Sequence, residues 1–214
     1  MQLGTLLDGI KVWVEGIIST LGYPGLFFVM FLENVFPPIP SEVVLPLAGS
    51  LSLTGRFSIP LITFVGMLGS LTGAFLFYGI GKLLGEERMR AFFAKFGRFA
   101  LLSVNDFDNS LSWFEKYDDW VIFFSRMVPI VRSLISIPAG IASMNLAKFS
   151  LYTILGTALW SFALSLAGRL LGEQWPLIEE FINTYQSIVL AVGLFLVVAF
   201  ITNRLLRKKK ASAH

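Results

Sequence analysis

Three stretches of this chain carry no charge, and their lengths restrict what it can become. They span residues 57–81, 149–168 and 181–203, which is 25, 20 and 23 residues. A helix needs about 20 apolar residues to cross a hydrocarbon core, so each stretch qualifies. Only 14% of the 214 residues are charged, against about a quarter in a soluble domain. The chain therefore reads as an all-α integral membrane protein that crosses the bilayer several times. It has no cysteine, and its one histidine is the final residue, His214. Disulfides, thiolate metal sites, a cysteine nucleophile and a buried histidine base are all excluded, and neither metal nor cofactor is expected.

The ends and the loops suggest an orientation. Leu3, Leu6, Leu7, Ile10, Val14, Ile17, Ile18 and Leu21 recur at helical spacing, which predicts an amphipathic helix over residues 1–20 lying at the interface. Asp8, Lys11 and Glu15 interrupt that segment, so it does not read as a signal peptide. Arg204, Arg207, Lys208, Lys209 and Lys210 follow the last apolar stretch directly. They mark a cytoplasmic C-terminus rather than a nucleic-acid site. The segment 82–118 carries Lys82, Arg88, Arg90, Lys95, Arg98 and Lys116 and is expected on the same side. Glu173, Glu179 and Glu180 stand in a stretch without Lys or Arg, expected outside.

The two halves of the chain resemble each other. Pro46-Leu-Ala-Gly49 is followed eleven residues after its proline by Phe57-Ser58, and Pro138-Ala-Gly140 by Phe149-Ser150 at the same distance. The apolar spans then end alike, in Gly81-Lys-Leu-Leu-Gly85-Glu86 and Gly168-Arg-Leu-Leu-Gly172-Glu173. Ahead of each span lies a segment that cannot be one straight helix. Pro37, Pro38 and Pro40 sit between Glu33 and Glu42, while Pro129 sits between Arg126 and Arg132 with Pro138 beyond. Proline removes a backbone donor and clashes with the preceding turn. The uncharged stretches 43–55 and 133–147 are 13 and 15 residues, too short for full crossings. The expectation is a pair of re-entrant hairpins, 21–55 and 119–147, with tips facing each other, since irregular backbone at membrane depth must be surrounded by protein or water.

The organisation that follows is an inverted repeat of hairpin plus span. Repeat one covers 21–85, a cytoplasmic linker 86–118, repeat two 119–172, and a C-terminal transmembrane helix 181–203. Residues 16–32 hold 17 uncharged positions, so a complete crossing there is the competing arrangement. Gly66, Gly69 and Gly73 share one face of the first span, which predicts close helix packing.

Glu33, Glu42, Arg126 and Arg132 are the chemical signal. An ionisable residue at the centre of a membrane helix costs about 2.5–3.5 kcal/mol on insertion scales and usually marks a substrate or ion path. The bland alternative is a set of Glu–Arg bridges that only lock the hairpins. Arginine offers a planar fork matched to phosphate oxygens and keeps its charge. A carboxylate in an apolar pocket can carry a proton at neutral pH. Arg126 and Arg132 are thus candidate anion-binding residues, and Glu33 and Glu42 candidate carriers of a proton or another cation.

Two of these stretches are similar to the signatures of a known family. Glu33-Asn-Val-Phe-Pro-Pro-Ile-Pro-Ser-Glu42 and Phe124-Ser-Arg126-Met-Val-Pro129-Ile-Val-Arg132, followed by Ser136-Ile-Pro-Ala-Gly140, resemble the DedA (VTT-domain) family. The likeness runs through Phe149, Gly156 and Trp160 to Gly172. It implies paired re-entrant hairpins and movement of a phospholipid or polyprenyl phosphate between leaflets, undecaprenyl phosphate in bacterial members, with proton-motive force implicated. Two departures stand out. Many bacterial members have an aspartate after Pro-Gly where this chain reads Pro40-Ser41-Glu42, and many have glycine where it has Ile130.

The leading expectation is therefore a lipid-phosphate translocase of the cytoplasmic membrane, not an enzyme. A non-selective phospholipid scramblase on the same scaffold is the alternative, and an intramembrane lipid phosphatase or phosphotransferase a more distant one. Self-association into a homo-oligomer is left open.

Overall fold

The computed structural model of the chain describes residues 3–36, 41–96, 103–129 and 131–172, and also 180, 184–185, 187–189, 191–195 and 198–202. Pro37, Pro38 and Pro40, the acidic stretch 173–179, much of the expected 181–203 span and the basic tail lie outside the described residues. All regular structure among the described residues is helical.

Helix α1 (Leu3–Leu21) buries Val14 and Ile18, one turn apart, and leaves Val12, Trp13 and Leu21 exposed. It stops at Gly22, whose φ of 67° and ψ of −137° suit only glycine. Helix α2 (Tyr23–Val35) then starts with Pro24 in its first turn, where a missing N–H costs nothing. This break means that 16–32 does not form one straight crossing. Helix α3 (Ser41–Leu51) follows the first tip and ends in a 3₁₀ turn, Ser52–Thr54.

Helix α4 (Ile59–Phe96) carries the first apolar span and continues past a kink at Gly85, with φ 65° and ψ 167°. The start of the expected linker is thus the end of this helix. Helix α5 (Val104–Ser125) opens with a reciprocal cap between Ser103 and Asp106. It runs unbroken through the expected 118–119 boundary between linker and second repeat. Nothing between 104 and 125 is glycine or proline, so nothing stops it. Two short helices, α6 (Val131–Leu134) and α7 (Ser136–Ile141), form the broken return. Asn145 caps α8 (Leu146–Leu171), the second span.

Among the described residues, helices α4 and α8 are the two long and apolar enough to cross a membrane. Apart from buried Phe149 and Leu164, the surface of α8 is reversed relative to a helix of a soluble protein. The buried face of α8 holds Thr153, Gly156, Thr157, Ser161, Ser165 and Gly168, while Leu151, Leu155, Leu159, Phe162 and Leu170 are exposed. Small and hydroxyl residues inside with large apolar ones outside is the pattern of helices packed in lipid, where burial of apolar surface gives no drive to associate.

Each short arm packs on the long helix of the other half, and the contacts repeat residue for residue. A Cβ on Gly49 would strike the carbonyl of Ser165, and one on Gly168 that of Pro46. In the other half, a Cβ on Gly140 would strike the carbonyl of Tyr78, and one on Gly81 that of Ile137. Every pair joins an arm glycine to the residue three before a span glycine, and the reverse. Counting from Gly49 and Gly140, and from Gly81 and Gly168, therefore aligns the two halves. The arms run in the same sense as the helices they touch, since Leu53 lies farther along against Gly172. The expected face on α4 packs closely too: Gly69 against the Phe27 carbonyl and Gly73 against Asn34.

These four glycines admit no side chain because the obstructing atoms are backbone. Gly49→Ala and Gly140→Ala should each destabilise the protein by about 1–3 kcal/mol, the usual cost of overpacking. Gly79 has open space around its Cβ position, and Gly79→Ala should be neutral or slightly stabilising. Thermal unfolding of the three variants in detergent checks the contrast.

Candidate functional site

The four ionisable residues sit at the two tips, and all four are buried. Glu33 is 5% exposed, Glu42 2%, Arg126 2% and Arg132 4%. Their positions follow from where the helices break. Glu33 lies in the last turn of α2, and Ser41 and Glu42 in the first turn of α3. Arg126 is the residue directly after α5, and Arg132 lies in α6 beyond Pro129.

Arg132 joins the tips. Its Nη2 forms an ion pair with Glu33 Oε2, and its Nη1 donates to Ser41 Oγ at 2.7 Å. One guanidinium thus ties α6 to both α2 and α3. Pro46 leaves the backbone carbonyl of Glu42 without its helical donor, which adds an acceptor close to this junction.

Arg126 does different work. Its Nη1 donates to the carbonyl of Arg132 at 2.5 Å. Its Nη2 donates to Ser136 Oγ at 3.2 Å and Thr153 Oγ1 at 3.0 Å. The guanidinium lies over the Phe149 ring, 5.5 Å from its centroid, a favourable placement for a desolvated cation. Gly156 lets α8 approach the Arg126 stem. Among the described residues no carboxylate pairs with Arg126. It holds the end of α5, α6, α7 and α8 together through neutral acceptors, and it positions the backbone of Arg132.

Glu42 is the complement. It is buried without a cation partner among the described residues, and its Oε1 has no hydrogen-bond partner. The C-terminal segment reaches this region. The Tyr185 hydroxyl donates to the Met127 carbonyl at 2.5 Å, and its ring lies 5.9 Å from that of Trp160.

Pro129 stands between α5 and α6, and its carbonyl accepts from Val131 N at 2.7 Å, a tight turn in place of a continued helix. Pro138 lies inside α7, and its carbonyl accepts from Ala142 N at 2.9 Å in the ordinary helical spacing. Gly140 is the contact point with α4. The sequence reasoning missed Ser41, Ser136, Thr153 and Tyr185. Thr153, Thr157, Ser161 and Ser165 recur every fourth position of an otherwise apolar span, a stripe that could have pointed to the polar face of α8. Nothing local signals Ser41 or Tyr185.

Comparison with known proteins gives a consistent outcome. The VTT domain matches residues 39–170. The chain is 34% identical to undecaprenyl phosphate transporter A of Staphylococcus aureus, over 90% of this chain and 95% of that one. It is 31% identical to the Bacillus subtilis protein of the same name, over 92% and 94%. It is also 38% identical to an alkaline phosphatase-like protein of Lactococcus lactis subsp. cremoris, over 91% and 90%. No solved structure matches.

The junction makes a stability prediction separable from function. Glu33→Met alone leaves the Arg132 charge buried and unpaired and should cost about 3–5 kcal/mol. Replacing both Glu33 and Arg132 by Met should recover most of that loss, because apolar replacements of buried pairs are often neutral. Unfolding of both single variants and the double variant reads the coupling.

Proposed function

Because this chain belongs to the DedA (VTT-domain) family, we propose that it moves a lipid phosphate carrier, undecaprenyl phosphate, across the cytoplasmic membrane. The relatives' names supply the substrate, and one observation supplies the chemistry. The fork of Arg132 is held at the meeting of the tips by groups that a phosphate could replace, Glu33 and Ser41. A phosphate monoester offers two oxygens to a guanidinium and forms a charge-assisted pair. When it takes the fork, Glu33 loses its cation and needs another. A proton or another cation meets that need, and Glu42, buried without a cation, provides a second site for one. Binding of the anion and uptake of the cation are then linked by charge balance alone. Arg126 keeps the return of hairpin two in shape while this happens. The prenyl chain stays among lipid tails beside the exposed leucines of the spans.

In this reading the tips belong to re-entrant hairpins that open on opposite sides, with the C-terminus and the α4–α5 region cytoplasmic. The Lys and Arg residues of 82–118 and 204–210 support that orientation, since positive charges alone set it. Single cysteines at Ser103 and Thr184 should label from opposite faces of sealed vesicles. Labelling of both from the outside would end the inverted arrangement.

Function is tested with the purified chain in proteoliposomes, following labelled polyprenyl phosphate with and without a pH gradient. Arg132→Lys should bind the carrier at least about ten-fold more weakly, since a point charge cannot replace the two-pronged contact. Arg126→Lys should mainly lower thermal stability. Glu42→Gln should remove the gradient-driven part of uptake while the protein remains folded. Competition by excess ordinary phospholipid would favour a scramblase. The phosphatase-like relative makes a further outcome decisive: release of inorganic phosphate from the carrier would replace transport with hydrolysis.

A further inference from the structure

Many hydroxyls on these helices return to a backbone carbonyl three or four residues back, as those of Ser50, Ser52, Thr72, Ser125, Ser150 and Ser165 do. Three buried ones find no partner. The hydroxyls of Thr63 and Ser70 on α4 and of Ser161 on α8 are buried without a hydrogen-bond partner, and so is Asn34 Oδ1 at the end of α2. Ser70 is 3% exposed, Ser161 1% and Asn34 2%.

These groups are not scattered. Thr63, Gly66, Ser70 and Gly73 recur at three- and four-residue steps and so share one face of α4. Ser161 Oγ lies 3.7 Å from the Cβ position of Gly66, and Asn34 Oδ1 lies 3.1 Å from that of Gly73. The unmet oxygens thus follow α4 from Thr63, past Ser161 and Ser70, to Asn34. The distance from Gly66 to Gly73 is about 10 Å along the axis. Next to Asn34 in the chain is Glu33, the partner of Arg132.

We propose that Thr63, Ser161, Ser70 and Asn34 line an internal water-binding seam between α2, α4 and α8, leading from the start of α4 to the Glu33–Arg132 junction. A buried polar group without a partner is costly in an apolar interior, and a water with several polar neighbours satisfies it. Lone serines could have bonded to their own helix, as six others do, so their shared abstention along one line is the signature of a common ligand. The seam deepens the transport reading, on which only its use rests: it brings water, and exchangeable protons with it, to the carboxylate that phosphate binding would release.

The test needs neither substrate nor gradient, so its failure and the failure of transport are distinguishable. The chain has no cysteine, which gives single-cysteine variants a clean background. Ser70→Cys and Ser161→Cys, in lipid nanodiscs, should react with 2-aminoethyl methanethiosulfonate at least about ten-fold faster than Ala74→Cys and Ala48→Cys, since the thiolate needs water to form. Both alanines are fully buried in apolar clusters. Reaction as slow as in the alanine variants, or equally fast in all four, overturns the seam. The unmodified protein provides an independent reading. Met30 is fully buried but flanks Gly66 and Gly69, whereas Met144 is 6% exposed and packs in the other core cluster. Radiolytic hydroxyl-radical footprinting should oxidise Met30 faster than Met144. The reverse order overturns the proposal as well.

Discussion

A guanidinium enclosed by apolar helices has to be surrounded by oxygen atoms, and most of this structure can be read as the means of supplying them. Arg132 draws on Glu33 from α2 and Ser41 from α3. Arg126 draws on the Arg132 carbonyl, Ser136 and Thr153. Carbonyls without a helical donor of their own occur where a helix is interrupted, so the breaks at the tips serve the buried charges. A continuous helix at Pro129 would leave Arg126 without the Arg132 carbonyl. An apolar residue in place of Arg132 would leave the two tips without the bond that joins them.

The long helices provide the frame that makes such breaks tolerable. Each half lends its short arm to the span of the other, with backbone against glycine at Gly49, Gly81, Gly140 and Gly168. Van der Waals contact at that range is the chief attractive term between helices in lipid. It also fixes the height of each tip. The arm glycine sets the register, and Glu42 and Arg132 lie seven and eight residues before their respective arm glycines. Symmetry of packing thus delivers an acid and a base to corresponding places, although the two halves no longer share their chemistry there.

The four charges are treated unequally, and the transport proposal rests on that inequality. Arg132 and Glu33 are paired, whereas Arg126 is held by neutral acceptors and Glu42 has no cation among the described residues. Simple locking bridges would pair all four. An arrangement that leaves one carboxylate unmatched, and that seats one arginine on replaceable partners, retains capacity for an anion and a cation to enter together.

Much of this was legible in the sequence. Uncharged lengths identified the two spanning helices, because a hydrocarbon core imposes a length. Prolines located the second tip, because proline cannot continue a helix, and Glu33, Glu42, Arg126 and Arg132 stood out because charge in such a setting is expensive. The paired words around Gly49, Gly81, Gly140 and Gly168 already contained the repeat. Only the tertiary structure decided who pairs with whom. The bond from Arg132 to Ser41 joins residues 91 apart in the chain, and no local pattern encodes it. The sequence likewise left open whether 16–32 crosses as one helix, since propensity alone did not weigh Gly22 heavily enough against an apolar run. Side-chain partners inside an apolar protein are set by which helix faces meet, and that is a property of the packed whole rather than of any segment.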